Sequence, residues 1–136
     1  MAGEIRVAID SEADIVAARQ QGRALAAELG FSSGDLTLVA AAISEVARNI
    51  VAYAKRGEIL LSHVIQGSRR GIVVVACDQG PGIPDIVQAM QDGYSTSHGL
   101  GFGLPGAKRL MDEFDIASQV GKGTTIVMKK WARRHG

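Results

Sequence analysis

The stretch GFGLPG, Gly101–Gly106, spells the dinucleotide-binding fingerprint G-x-G-x-x-G letter for letter. If that spelling is meaningful, the chain is a Rossmann domain that binds NAD or FAD. The fingerprint needs a strand running straight into its first glycine, and an acidic residue about twenty positions on, after a second strand. The residues before Gly101, DGYSTSHGL (92–100), have the composition of a loop. About twenty positions beyond it stands VGKG (120–123), which has no acidic group. Both requirements fail, and the Rossmann reading is set aside. What remains is physical. Gly99, Gly101 and Gly103 alternate immediately before an expected helix, so backbone N–H groups can approach an anion without obstruction by Cβ. The unpaired N–H groups and positive dipole end of that helix suit phosphate. Pro105 is tolerated in a first helical turn, and Gly106 suits close helix packing. A flexible turn with no ligand is the alternative, and this motif alone does not decide between them.

Working outward, EIRVAI (4–9) alternates polar and apolar residues as a half-buried strand does. Ser11 is placed to cap a helix that runs to about Leu29 and ends at Gly30. SSGDL (32–36) opens a second helix continuing to about Ala54. GEILLSHVI (57–65) and GIVVVACD (71–78) read as neighbouring strands joined through QGSRRG. An irregular glycine-rich stretch, 79–99, contains a short helix near 85–90. A further helix follows over GLPGAKRLMDE (103–113), and FDIASQ (114–119) and TTIVMKKW (124–131) close the chain as a strand pair. Two hairpins interrupt the helices. The order therefore predicts an α+β two-layer sandwich: a mixed sheet of about five strands with helices on one face.

The 136 residues suit one domain, 1–136, with 46% hydrophobic and 21% charged residues and a net charge of +1. That balance argues against a nucleic-acid partner, and KKWARRH (129–135) reads as a solvated tail. The single cysteine, Cys77, excludes an internal disulfide or a multi-cysteine metal site, and its apolar surroundings suggest a buried thiol. No signal core precedes the first strand, and no run approaches about 18 apolar residues, so no membrane partner and a cytoplasmic location are expected.

Three further boxes carry chemistry. In ISEVARNIV (43–51), Glu45 and Asn49 are four apart and share one helix face, along which Leu38, Ala41 and Ala52 leave room for a ligand. A carboxylate there can take a proton from an attacking hydroxyl, and an amide oxygen can ligate Mg²⁺. An exposed pair on a solvated face is the plainer reading. In CDQGPGIPD (77–85), Asp78 ends a strand and can accept from an amine such as adenine N6, while Gly80 and Gly82 let the backbone pass beneath a flat ring. An ordinary turn is again the alternative. GKGT (121–124) follows.

Glu-x-x-x-Asn, then D-x-G-x-G, then G-x-G-x-G, then GKGT, in that order, resemble the GHKL ATPase superfamily of gyrase, Hsp90, MutL and histidine kinases. The resemblance runs from about Glu4 to Lys130. No helix carries a histidine in a phospho-acceptor context, which sets a complete sensor histidine kinase aside. Within the superfamily the chain is similar to the stand-alone bacterial serine/threonine kinases of partner-switching pathways, in particular the switch kinases of the stressosome. The related anti-sigma-factor kinases share the boxes.

The resemblance implies the Bergerat fold, ATP and Mg²⁺ as cofactors, and a serine/threonine kinase activity. It implies Glu45 as the catalytic base and Asn49 as the Mg²⁺ ligand. It implies Asp78, Gly80, Gly82 and Thr124 around adenine, and Gly99, Leu100, Gly101 and Gly103 along the phosphates. Ser95, Thr96 and Ser97 are expected to supply lid hydroxyls. It also implies STAS-domain proteins as substrates and a PP2C-type phosphatase or other effector as the downstream target. The stretch between Asp92 and Gly103 has no Lys or Arg. A phosphoryl transfer benefits from a cation, which leaves Lys55, Lys122 or the protein substrate as sources. Arg48 reads as either a phosphate contact or an ion pair. Other classes stay open: an anti-sigma factor with kinase activity, a histidine-kinase fragment, or a non-catalytic module that sequesters a partner when ATP is bound.

Overall fold

The computed structural model describes residues 3–83, 90 and 103–132. The chain runs β1 (Ile5–Ile9), α1 (Glu12–Glu28), α2 (Ser33–Asn49), a π-helical turn (Ile50–Ala54), β2 (Gly57–Gln66), β3 (Arg69–Asp78), α3 (Gly103–Leu110), β4 (Glu113–Gln119) and β5 (Gly123–Trp131). These elements match the expected order closely. The short helix near 85–90 lies outside the described residues except for Met90.

Local chemistry explains the boundaries. At the start of α1, the Ser11 side chain makes no capping bond to the helix backbone. It donates to Asp14 instead, whose Oδ2 also accepts the Asp10 N–H at 2.9 Å. These bonds, the Asp10 backbone contribution first, hold the Asp14 carboxyl below the usual carboxylate range. The other end of α1 closes as a Schellman turn. The Phe31 N–H reaches Ala26 O and the Gly30 N–H reaches Ala27 O, with Gly30 at φ +87°. On α2, Ser32 caps through its side chain, which accepts from the Asp35 N–H at 3.2 Å.

The five strands are ordered β1-β2-β3-β5-β4, and every neighbouring pair is antiparallel. The mixed sheet expected from the sequence is thus corrected to an antiparallel one. Connectivity gives the reason. Two helices, α1 and α2, separate β1 from β2, so the chain returns in the opposite direction. The crossover through α3 does leave β4 running parallel to β3, but β5 folds back between them.

Strand alternation sets two faces. Ile59 and Leu61 of β2, Ile72, Val74 and Ala76 of β3, and Ile126 and Met128 of β5 are buried, and form the core with Ile15, Leu25, Val39, Ile43 and Val46 of α1 and α2. Burying side chains of this size contributes about 1.5–3 kcal/mol each. Cys77 falls on the opposite face and is only half-buried, so the expected buried thiol is corrected. The basic stretch after Met128 is not simply a tail either. Lys130 is buried in β5, and the Trp131 indole N–H donates to Glu113 at 3.0 Å, with the Arg69 guanidinium stacked 4.0 Å from its ring. The helical run Ser33–Ala54, 22 residues, meets the length and hydropathy of a membrane span, but half of its most apolar window is buried inside the fold.

Candidate functional site

At one end of the sheet the inward row turns polar. Ile9, Gly57, Asp78, Thr124 and Ser118 are successive cross-strand partners on β1, β2, β3, β5 and β4. The alternation that buries Ile72, Val74 and Ala76 brings Asp78, the last residue of β3, to the helix side. Its Oδ1 accepts the Gly80 N–H at 2.9 Å. This Asx-turn fixes the carboxylate and leaves Oδ2 to accept from a ligand N–H. Thr124 is buried, and its hydroxyl lies 2.8 Å from Ser118 Oγ. Ser118 Oγ also accepts the Ile83 N–H at 2.7 Å and lies 3.1 Å from Gly123 O. One hydroxyl thereby ties β4, β5 and the loop after Asp78 into a single wall. Sequence reasoning missed Ser118. Its only signal was a hydroxyl at an inward position of FDIASQ, beside the expected Thr124.

The D-x-G-x-G box is built on close approach. A Cβ at Gly82, where φ is +79°, would lie 2.4 Å from Gln119 O. One at Gly80 would lie 2.5 Å from Ala54 Cβ, in the π-helical turn. The loop is thus seated between the β4–β5 turn and the end of the α2 helical run. Asp78, Thr124, Ser118, Gln119 and Lys122 line a shallow pocket there. Lys122, one of the cations considered for the phosphates, therefore stands at the Asp78 end.

From Ala54 the helical run leads back to Asn49 and, one turn earlier, Glu45. Asn49 is half-buried as the last residue of α2, and its side chain does not cap the π-helical turn that follows. Such turns widen the helical ring and often accompany functional sites. Glu45 is not on a solvated face, since it is only 9% exposed. Its Oε1 accepts the N–H of Gly103, the first residue of α3, at 2.8 Å. Its Oε2 accepts from Arg48 Nη1 at 3.0 Å. Arg48 thus makes an ion pair with Glu45 in this structure. A carboxylate at the positive end of a helix is well placed electrostatically. The other end of α3 is held by Lys130, whose Nζ donates to Leu110 O at 2.9 Å.

The structure therefore brings together Glu45, Asn49 and Gly103 at one end, and Asp78, Gly80, Gly82 and Thr124 at the other. Ser95, Thr96, Ser97, Gly99, Leu100 and Gly101 lie outside the described residues. Among the described residues no group of three or more His, Cys, Asp or Glu side chains can hold a metal ion by itself.

A family model, the histidine kinase-like ATPase domain, matches residues 9–130. The chain belongs to that family. It is 55% identical over 127 residues to the serine/threonine-protein kinase RsbT of Bacillus subtilis (strain 168), covering 93% of this chain and 96% of the relative. That likeness spans nearly the full length of both and puts the chain in the serine/threonine-protein kinase class. It is 32% identical over 121 residues to an anti-sigma F factor of Geobacillus stearothermophilus, covering 83% of this chain and 81% of the relative. Among solved structures, the RsbU and RsbW domains of Rv1364c from Mycobacterium tuberculosis superpose with a TM-score of 0.65. The match is 20% identical and covers 98% of this chain but 34% of the other, so it speaks for the fold.

Proposed function

We propose that this chain acts as one catalytic domain that transfers the γ-phosphoryl group of ATP to a serine or threonine hydroxyl of a STAS-domain protein. The setting is a cytoplasmic, stressosome-type partner-switching pathway of a bacterial stress response. Once its substrate is modified, the kinase is free to bind and activate a PP2C-type phosphatase or another effector. The observation that carries the reading is Glu45: a buried carboxylate fixed beside the start of α3 and one turn from Asn49, on the helical run whose far end, at Ala54, packs against the loop that follows Asp78.

In this reading adenine lies against the loop at Gly80 and Gly82, its amine donating to Asp78 Oδ2, with Thr124 and Ser118 at the ring edge. Gly99, Leu100, Gly101 and Gly103 approach the phosphates, joined by the hydroxyls of Ser95, Thr96 and Ser97. Glu45 takes the proton of the substrate hydroxyl as its oxygen bonds to the γ-phosphorus. The bond from that phosphorus to the bridging oxygen breaks, and ADP leaves. The oxygen of the Asn49 amide suits Mg²⁺, a hard cation that prefers oxygen and usually shares its sphere with phosphates and water. When bound, Mg²⁺ neutralises charge developing on the transferred group.

The test is transfer of phosphate from Mg-ATP to a purified STAS-domain protein, with the site mapped by mass spectrometry. Substituting Glu45→Ala or Asn49→Ala is expected to remove transfer, and intact transfer in either variant sinks the proposal. The likeness to an anti-sigma F factor supports a second reading, an anti-sigma factor with kinase activity. Co-purification with a sigma factor, in place of a STAS-domain protein, selects it.

A further inference from the structure

We infer that Arg48 is a positioning residue for Glu45, holding the base's carboxylate in one plane; this rests on the reading of Glu45 as the base. The torsion that turns a glutamate carboxylate about its last carbon–carbon bond is broad, so one hydrogen bond leaves the group free to swing. In this chain two donors grip it from different elements. The Gly103 N–H of α3 holds Oε1 at 2.8 Å, and Arg48 Nη1 holds Oε2 at 3.0 Å. Together they set both the position and the plane of the carboxylate.

The grip does not block the base. A carboxylate offers about four lone-pair sites, and these donors use two of them. The others remain for a substrate hydroxyl. Nor is this an ordinary surface pair. Glu45's side chain is 10% exposed and Arg48's 39%, so a buried anion is gripped by a cation at the rim. Exposed pairs three or four apart on a helix contribute little. Positioning of a reacting group matters far more, because a displacement of about 1 Å can cost about 100-fold in rate. The guanidinium also separates from the other cations considered: Lys122 lines the pocket at Asp78, while Arg48 bonds the base itself.

Kinetics and NMR on the full chain test this with Arg48→Gln, Arg48→Lys, Glu45→Gln and the double variant Glu45→Gln/Arg48→Gln. Arg48→Gln is expected to lower kcat about 10- to 100-fold with KM for ATP within about twofold, and Arg48→Lys to recover part of the loss. The double variant should be no slower than Glu45→Gln alone, because the two residues act as a unit. In the nucleotide-free protein, the Gly103 amide resonance should move in both Glu45→Gln and Arg48→Gln, since the first replaces the acceptor facing it and the second frees that acceptor to turn. Unchanged kcat in Arg48→Gln, multiplying losses in the double variant, or a raised KM with kcat intact each overturn the inference. The last would make Arg48 a phosphate ligand. If the wild type transfers no phosphate, the kinase reading fails, and the Gly103 resonance still decides: no movement in Arg48→Gln refutes the positioning.

Discussion

Asp78 shows how much one side chain does at the end of a strand. Its inward direction comes from the period-2 pattern of GIVVVACD, and its Asx bond to the Gly80 N–H leaves one oxygen for a ligand. In the proposed site, Asp78→Asn puts an amide N–H₂ where the carboxylate would accept from the adenine amine. A hydrogen bond to a charged group is worth about 1.5–3 kcal/mol, so ATP affinity should fall about tenfold or more by calorimetry. An unchanged dissociation constant would remove Asp78 from the adenine site. At this scale the placements were readable in the letters: Asp78 at a strand end, Gly80 and Gly82 in the turn after it, and Glu45 and Asn49 one turn apart on a helix. What was not readable depended on residues distant in sequence. Ser118 meets Thr124 only when β4 lies beside β5, and the ion pair of Arg48 shows its buried partner only in the folded chain.

The element that joins these residues is α3. It has eight residues, too few to persist as an isolated helix, so tertiary contacts must hold it. Two buried side chains do so: the Glu45 carboxylate meets the Gly103 N–H at its start, and the Lys130 ammonium meets Leu110 O at its end. Each charge is matched to the helix dipole. Lys130→Met keeps the apolar stem and removes the donor, so it should destabilise the fold by about 1–3 kcal/mol in urea unfolding. A change within a few tenths would show that Lys130 only fills space. The sequence pattern marked the start of α3 through its glycines and Pro105 but carried it to 113, whereas the helix ends at Leu110 and Glu113 opens β4. It placed Lys130 in a solvated tail, because a KK-x-x-RR spelling says nothing of which lysine faces inward. The register of β5, with Lys130 opposite Ile72, decides that. The sheet's polarity escaped for a similar reason: hairpins and crossovers were visible, but the insertion of β5 between β3 and β4 is a fact of tertiary packing.

Over the whole molecule, the antiparallel sheet ends in one polar row that holds Asp78 and Thr124, and the α2 helical run leads from that end, at Ala54, back to the buried Glu45 carboxylate. Of the glycines in that opening stretch, Gly103 serves this arrangement, since its N–H meets the Glu45 carboxylate at the start of α3. A ligand that binds only the native state stabilises by RT ln(1 + [L]/Kd), about 2.7 kcal/mol at 100 times Kd. Mg-ATP should therefore raise the melting temperature by several degrees while NADH leaves it unmoved, and the reverse pattern would restore the dinucleotide reading. The most direct test of the account is single-turnover transfer of labelled γ-phosphate from Mg-ATP to a STAS-domain protein, by the wild type and by Glu45→Gln, with ATP affinity measured in parallel. The wild type should leave an acid-stable phosphoserine or phosphothreonine on the partner. Glu45→Gln should still bind ATP but transfer at least about 100-fold more slowly, as loss of a general base implies. Equal rates in the two proteins, or a label lost in acid, would contradict it.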